Sequence, residues 1–83
     1  MERNDFLKMC QRVSMLPDGV MHTKKNVPKD LQVYFDGKYY YPAHLEIKFD
    51  ENGKAKNIAV LHDLEANCLL CVKLDLVEKL TTE

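Results

Sequence analysis

No apolar run in this chain approaches the ~18 consecutive residues that a membrane-spanning helix requires. The opening Met1-Glu2-Arg3-Asn4-Asp5 lacks the basic start and apolar core of a secretory signal. Cysteine is scarce: three residues, an odd number, which without an export signal points to reduced thiols and not to a disulfide frame. A cytosolic protein is the expectation. Charge of one sign is lacking as well, since the net charge is −1. Residues 1–43 hold seven Lys/Arg against five Asp/Glu and residues 44–83 hold five against eight, so the halves carry +2 and −3. That asymmetry is too small for a DNA mimic or a polyanion binder. Repeats and low-complexity segments are absent.

Eighty-three residues make one small domain, residues 1–83, close to the lower size at which a core is stable without staples. An obligate partner or a dimer follows as a reasonable expectation.

What the chain does have is alternation. From Tyr39 to Phe49 every odd position is apolar or aromatic and most even positions are polar, the period of a half-buried strand. Upstream, Phe6, Met9, Cys10 and Val13 follow one helical face, which predicts a helix over 5–16 capped by Asn4 or Asp5 and ended by Leu16-Pro17-Asp18-Gly19. Val20–Thr23 could form a short strand before a solvated connection. Leu31–Phe35 reads as the first firm strand, and Asp36-Gly37 as its turn. A two-residue turn would split the apolar set, so a type I turn with Gly37 as the bulge residue is preferred, setting Val33 opposite Tyr39 and Leu31 opposite Tyr41. At the other end Asn52-Gly53 suits a type I′ hairpin, setting Phe49 opposite Lys56, Ile47 opposite Ile58 and Leu45 opposite Val60. Pro42 then falls where the first strand's ladder runs out. After the polar turn Asp63–Asn67 comes a fourth strand, with Cys68, Leu70, Val72 and Leu74 inward. Asp75–Leu80 either extends it or makes a helical turn. The predicted fold is α+β: an N-terminal helix across the odd face of a four-stranded antiparallel meander.

Chemistry has few places to sit. Cys68-Leu69-Leu70-Cys71 is a CxxC, but on a strand its sulfurs point to opposite faces, and a second ligand pair is missing. One metal-binding alternative survives, a convergence of Cys10, His62 and Cys68; a buried neutral histidine is the simpler account, and neither metal nor cofactor is expected. His44 beside Glu46 could do acid–base work. No nucleophile context, second carboxylate or Gly-rich phosphate loop accompanies the pair, so it reads as surface and the protein as a non-enzyme. Tyr34, Tyr40, Lys38 and Lys48 share the outer face in this register and could stack on single-stranded nucleic acid. With near-zero net charge and no arginine there, cross-strand packing is preferred and nucleic acid is disfavoured.

The outer face also gathers Ala59, Leu61, Leu69 and Cys71, a patch more apolar than a solvated face requires. Residues 43–50 outlast their first partner strand, leaving an open edge. The favoured function is therefore a protein-interaction module using that face or edge, through a partner protein or a homodimer. Leu61, Leu69, Cys71, Tyr34, Tyr40, His44 and Glu46 are the candidate contact residues. The run Leu45-x-x-x-Phe49-Asp50-x-x-Gly53, then Ala59-Val60-Leu61-x-Asp63-Leu64-x-Ala66-Asn67, then Leu74-x-x-Val77-Glu78 resembles small proteins encoded by bacteriophages and prophages. The resemblance implies an accessory protein that binds a host or defence component. It carries no catalytic motif, and the near-neutral charge departs from the acidic DNA mimics of that group.

Overall fold

A computed structural model describes residues 1–16 and 29–79 of the chain, the side chains of Lys29 and Lys79 excepted. The expected short strand at Val20–Thr23 and the turn Pro17-Asp18-Gly19 lie outside the described residues. Helix α1 (Arg3–Ser14) is followed by a 3-10 turn (Lys29–Leu31) and strands β1 (Val33–Phe35), β2 (Lys38–Phe49), β3 (Ala55–Asp63) and β4 (Cys68–Lys73). A second 3-10 turn (Leu74–Leu76) leads to β5 (Glu78–Lys79). The helix and the four-stranded antiparallel meander form the expected α+β arrangement, with the sheet curled into a half-barrel. Asp75–Leu76 completes a tight turn and does not extend β4; β5 then pairs with β1, giving the order β4-β3-β2-β1-β5. Only the segment Leu74–Val77 joins β4 at one edge to β5 at the other, a reach of roughly 14 Å at full extension. The curl brings the edges that close.

The helix starts two residues before its predicted start. Its N-cap is Glu2, which makes no side-chain capping bond, so neither Asn4 nor Asp5 is the cap. Asp5 instead sits in the first turn, where a carboxylate is favoured by the helix dipole. Phe6 and Met9 are buried on the sheet with Val33, Tyr40, Ala59, Leu61, Val72, Leu74 and Val77. The far end of the helix supplies Val13 and Leu16 to a second cluster around Leu31 and Tyr41. Two apolar anchors, one per helix end, fix its direction across the sheet.

Both hairpin registers differ from prediction by one residue, and one residue is enough to turn a strand over. Val33 pairs with Tyr40 and Phe35 with Lys38, so Asp36-Gly37 is a two-residue turn. Both of its residues have positive φ, 49° and 80°, as a type I′ turn requires. At the second hairpin Phe49 pairs with Ala55, not Lys56. There the Asp50 N–H donates to Lys54 O and the Gly53 N–H to Asp50 O, each at 3.0 Å. Gly53 takes φ 78°, making a three-residue loop ended by a left-handed glycine. Asp50 Oδ1 accepts from the backbone N–H groups of Asn52 and Lys54, both at 2.9 Å, which stabilises this longer loop over the tighter one. The two turns have exchanged types.

A bulge reconciles them. Tyr41 pairs with His62 and Pro42 with Leu61, but His44 pairs with Val60, so Ala43 is extra. Residues directly opposite share a face. Tyr40 and Pro42 therefore face the helix side before the bulge, and Leu45, Ile47 and Phe49 after it. On β3 Ala59 and Leu61 share that face; Val60 alternates to the other face and is buried there too, at 2% exposure, while Ile58 is half-buried. Pro42 sits at this bulge, a position a proline tolerates within a sheet.

Candidate functional site

The one-residue shifts redistribute the predicted contact residues. Leu61 is fully buried opposite Leu70, and Ala59 is fully buried opposite Val72, so neither belongs to an outer patch. Leu69 and Cys71 remain exposed, but Leu69 lies opposite His62 and Cys71 opposite Val60. Tyr40 is buried as well, packed 6.5 Å from the Phe35 ring with the Lys38 ammonium 5.8 Å from its centroid. Tyr34 pairs with Tyr39 instead, ring centroids 5.3 Å apart, and Tyr39, expected inward, is half exposed. Lys38 Nζ donates to Asp63 Oδ2 at 2.6 Å. That bond raises the lysine's pKa above its ordinary value and holds the Asp63 carboxyl below its own. With Tyr40 inside and Lys38 paired, the stacking platform proposed for nucleic acid is not assembled.

The metal alternative loses its geometry too. Cys10 packs against the core, where burial pushes its thiol up to about 11. Cys68 is exposed opposite Asp63, and His62 occupies the alternate face. Among the described residues no three His, Cys, Asp or Glu side chains converge as a metal site. His44 Nε2 and Glu46 Oε1 do meet, at 3.1 Å on the exposed face, with Lys48 Nζ 3.9 Å from the other Glu46 oxygen. All three side chains are substantially exposed to solvent.

What the structure does assemble is an unfinished sheet edge. β1 pairs with β2 only through Tyr40, and among the described residues nothing pairs with that side of β2 from Ala43 to Phe49. β4 pairs with β3 only from Ile58 onward. The segment Ile47–Phe49 and its partner Ala55–Asn57 thus project as a two-stranded ribbon. Backbone polarity along it follows from one bond. Because the Asp50 N–H reaches Lys54 O, that pair is a hydrogen-bonded one. Alternation then makes Lys48/Lys56, Glu46/Ile58 and His44/Val60 hydrogen-bonded pairs. The residues between them, Leu45, Ile47 and Phe49, turn their N–H and C=O groups away from β3 to the free side.

Their side chains share one face. Leu45 still touches the core, Ile47 is 47% exposed and Phe49 71% exposed. The opposite face carries His44, Glu46 and Lys48. A strand that is apolar on one face, charged on the other and open along its edge is an arrangement that proteins ordinarily blunt or cover. Strand lengths in the sequence predict the open edge, whereas alternation alone predicts Ile47 and Phe49 in the covered core, where the structure does not place them. Comparison of the chain with protein-family models, with curated proteins and with solved structures finds no match in any of the three.

Proposed function

We propose that this protein is a non-enzymatic interaction module that binds a protein partner by strand addition along Leu45–Phe49. The observation that carries the proposal is the length of β2. Its twelve residues outrun both β1 and the helix, leaving backbone donors and acceptors beside the uncovered Ile47 and Phe49 side chains. Main-chain hydrogen bonds along such an edge supply affinity, and alternate side chains supply specificity. A host or defence protein, the context implied by the phage resemblance, is one class of partner.

Ile47→Pro tests the role of the edge. The Ile47 N–H faces the free side, so proline removes an edge donor without removing a β2–β3 ladder bond. Phe49→Lys is the second variant, placing charge on the apolar strip. Both variants should keep the wild-type circular dichroism and lose association, measured by sedimentation and by capture from host cells. Association that survives Ile47→Pro refutes the proposal.

A further inference from the structure

We propose that the edge of β2 pairs with the same edge of a second copy, antiparallel and centred on Ile47. The pairing rests on the strand-addition reading above and names its partner. Two features of β2 lead to it. First, hydrogen-bond parity restricts the registers. Only Leu45, Ile47 and Phe49 offer backbone groups on the free side, so a second copy can pair only where odd residues oppose odd residues. Second, charge selects among those registers. With Ile47 opposite Ile47 of the second copy, Leu45 opposes Phe49, Glu46 opposes Lys48, and His44 opposes Asp50. Both polar pairs are then complementary, and each occurs twice about the two-fold axis.

The neighbouring registers fail on the same test. Placing Leu45 opposite Ile47 sets Glu46 against Glu46. Placing Ile47 opposite Phe49 sets Lys48 against Lys48 and Glu46 against Asp50. Sliding further, to Leu45 against Leu45, drives the bulge at Ala43 into the new ladder. In the selected register the apolar strips of the two copies join on one face, with Phe49 packed against Leu45 across the seam. About six backbone hydrogen bonds close the edge. The sheet becomes continuous through both chains, and the free edges of both β2 strands disappear.

Light scattering and sedimentation of the full chain over a concentration series test this. The wild type should dimerise, and Ile47→Pro should be monomeric. Glu46→Lys sets lysine against lysine and Lys48→Glu sets carboxylate against carboxylate, so each should weaken the dimer about tenfold to a hundredfold. The double variant, Glu46→Lys with Lys48→Glu, re-creates the opposite-charge pairs with the signs exchanged and should return to within about threefold of wild type. Both positions are substantially exposed, and thermal melts of the four proteins confirm that folding is preserved. A wild type that is monomeric at every concentration overturns self-pairing. If it then still captures another protein in an Ile47→Pro-sensitive manner, the strand-addition reading stands and only the identity of the partner fails. A dimer indifferent to both single charge changes, or one that the double variant does not rescue, overturns the register. A dimer indifferent to Ile47→Pro removes the edge itself and sinks both proposals.

Discussion

Leu61 and Leu69 are eight residues apart, an even separation that the expected five-residue turn Asp63–Asn67 would set on one face and the observed four-residue loop between paired Asp63 and Cys68 sets on opposite faces. The structure separates them: Leu61 has no solvent exposure, and Leu69 is 59% exposed. Truncating each to alanine therefore measures the register directly. Leu61 lies opposite Pro42 on one side and Leu70 on the other, inside the cluster built on Phe6, Tyr40 and Val72. Leu61→Ala there loses the transfer free energy of the removed carbons and leaves a cavity, together about 3–5 kcal/mol. A domain of 83 residues has about 4–12 kcal/mol to lose. At ~4–8 °C per kcal/mol, the midpoint falls by roughly 12 °C or more. Leu69→Ala removes a side chain already in water, and should change stability by less than about 0.5 kcal/mol. Urea denaturation followed by circular dichroism gives both numbers, provided the m-value is unchanged. Equal costs at the two positions, or a cost at Leu61 below about 1 kcal/mol, would refute the register and the buried assignment of β3's odd residues.

Three further outcomes follow from local geometry. At Gly53, φ is 78° and an added Cβ meets nothing, so Gly53→Ala should cost about 1 kcal/mol through the left-handed backbone alone, with Gly53→Asn recovering part of it in the same denaturation assay. The folded Asp63 carboxyl titrates below its ordinary 3.8 and folded Lys38 above its ordinary 10.5, so their contribution holds between those values. The melting difference between wild type and Asp63→Asn should be flat across neutral pH, shrink as acid carries pH below 3.8 through the folded carboxyl's pKa, and shrink again above 10.5; a difference that peaks in acid contradicts the pairing. For the thiols, iodoacetamide at pH 8 should label the exposed Cys68 and Cys71 within the native state, while Cys10, half-buried with its thiol pushed up to about 11, reacts only on unfolding. Mass spectrometry after brief labelling reads the order.

Element types and their sequence were legible because each has its own periodicity. Phe6, Met9 and Val13 mark a helix, and the alternation from Tyr39 to Phe49 marks a strand, whatever the turns do. The turns were not legible, because the same residues suit two geometries. Asp36-Gly37 accommodates either a type I′ turn or a type I turn with a glycine bulge, and so does the segment around Asn52-Gly53. Burial broke the tie by requiring one unbroken odd face on β2. That requirement holds only for a regular strand. Ala43 is a bulge, so the inward set changes parity in mid-strand and the opposite turn choices become the consistent ones. Pro42 was the available signal: a proline deep in a long strand marks a bulge as readily as the end of a ladder.

The open strip follows from a comparison of lengths that parity cannot make. Helix α1 and strand β2 have twelve residues each. A helix of that size is about 18 Å long, because it rises 1.5 Å per residue. The strand, at 3.3 Å per residue, runs about 40 Å, close to the molecule's longest dimension of 44 Å. One helix, crossing the sheet from the Leu74–Val77 link toward Leu31 and Tyr41, covers less than half of that strand. Alternation shows which face a residue occupies and nothing about where the cover stops. Leu45, Ile47 and Phe49 share their face, yet only Leu45 reaches the core. The length ratio requires that part of β2 outrun its cover, and the exposure of Ile47 and Phe49 places that part at the hairpin end, the stretch where β1 and β4 have also run out.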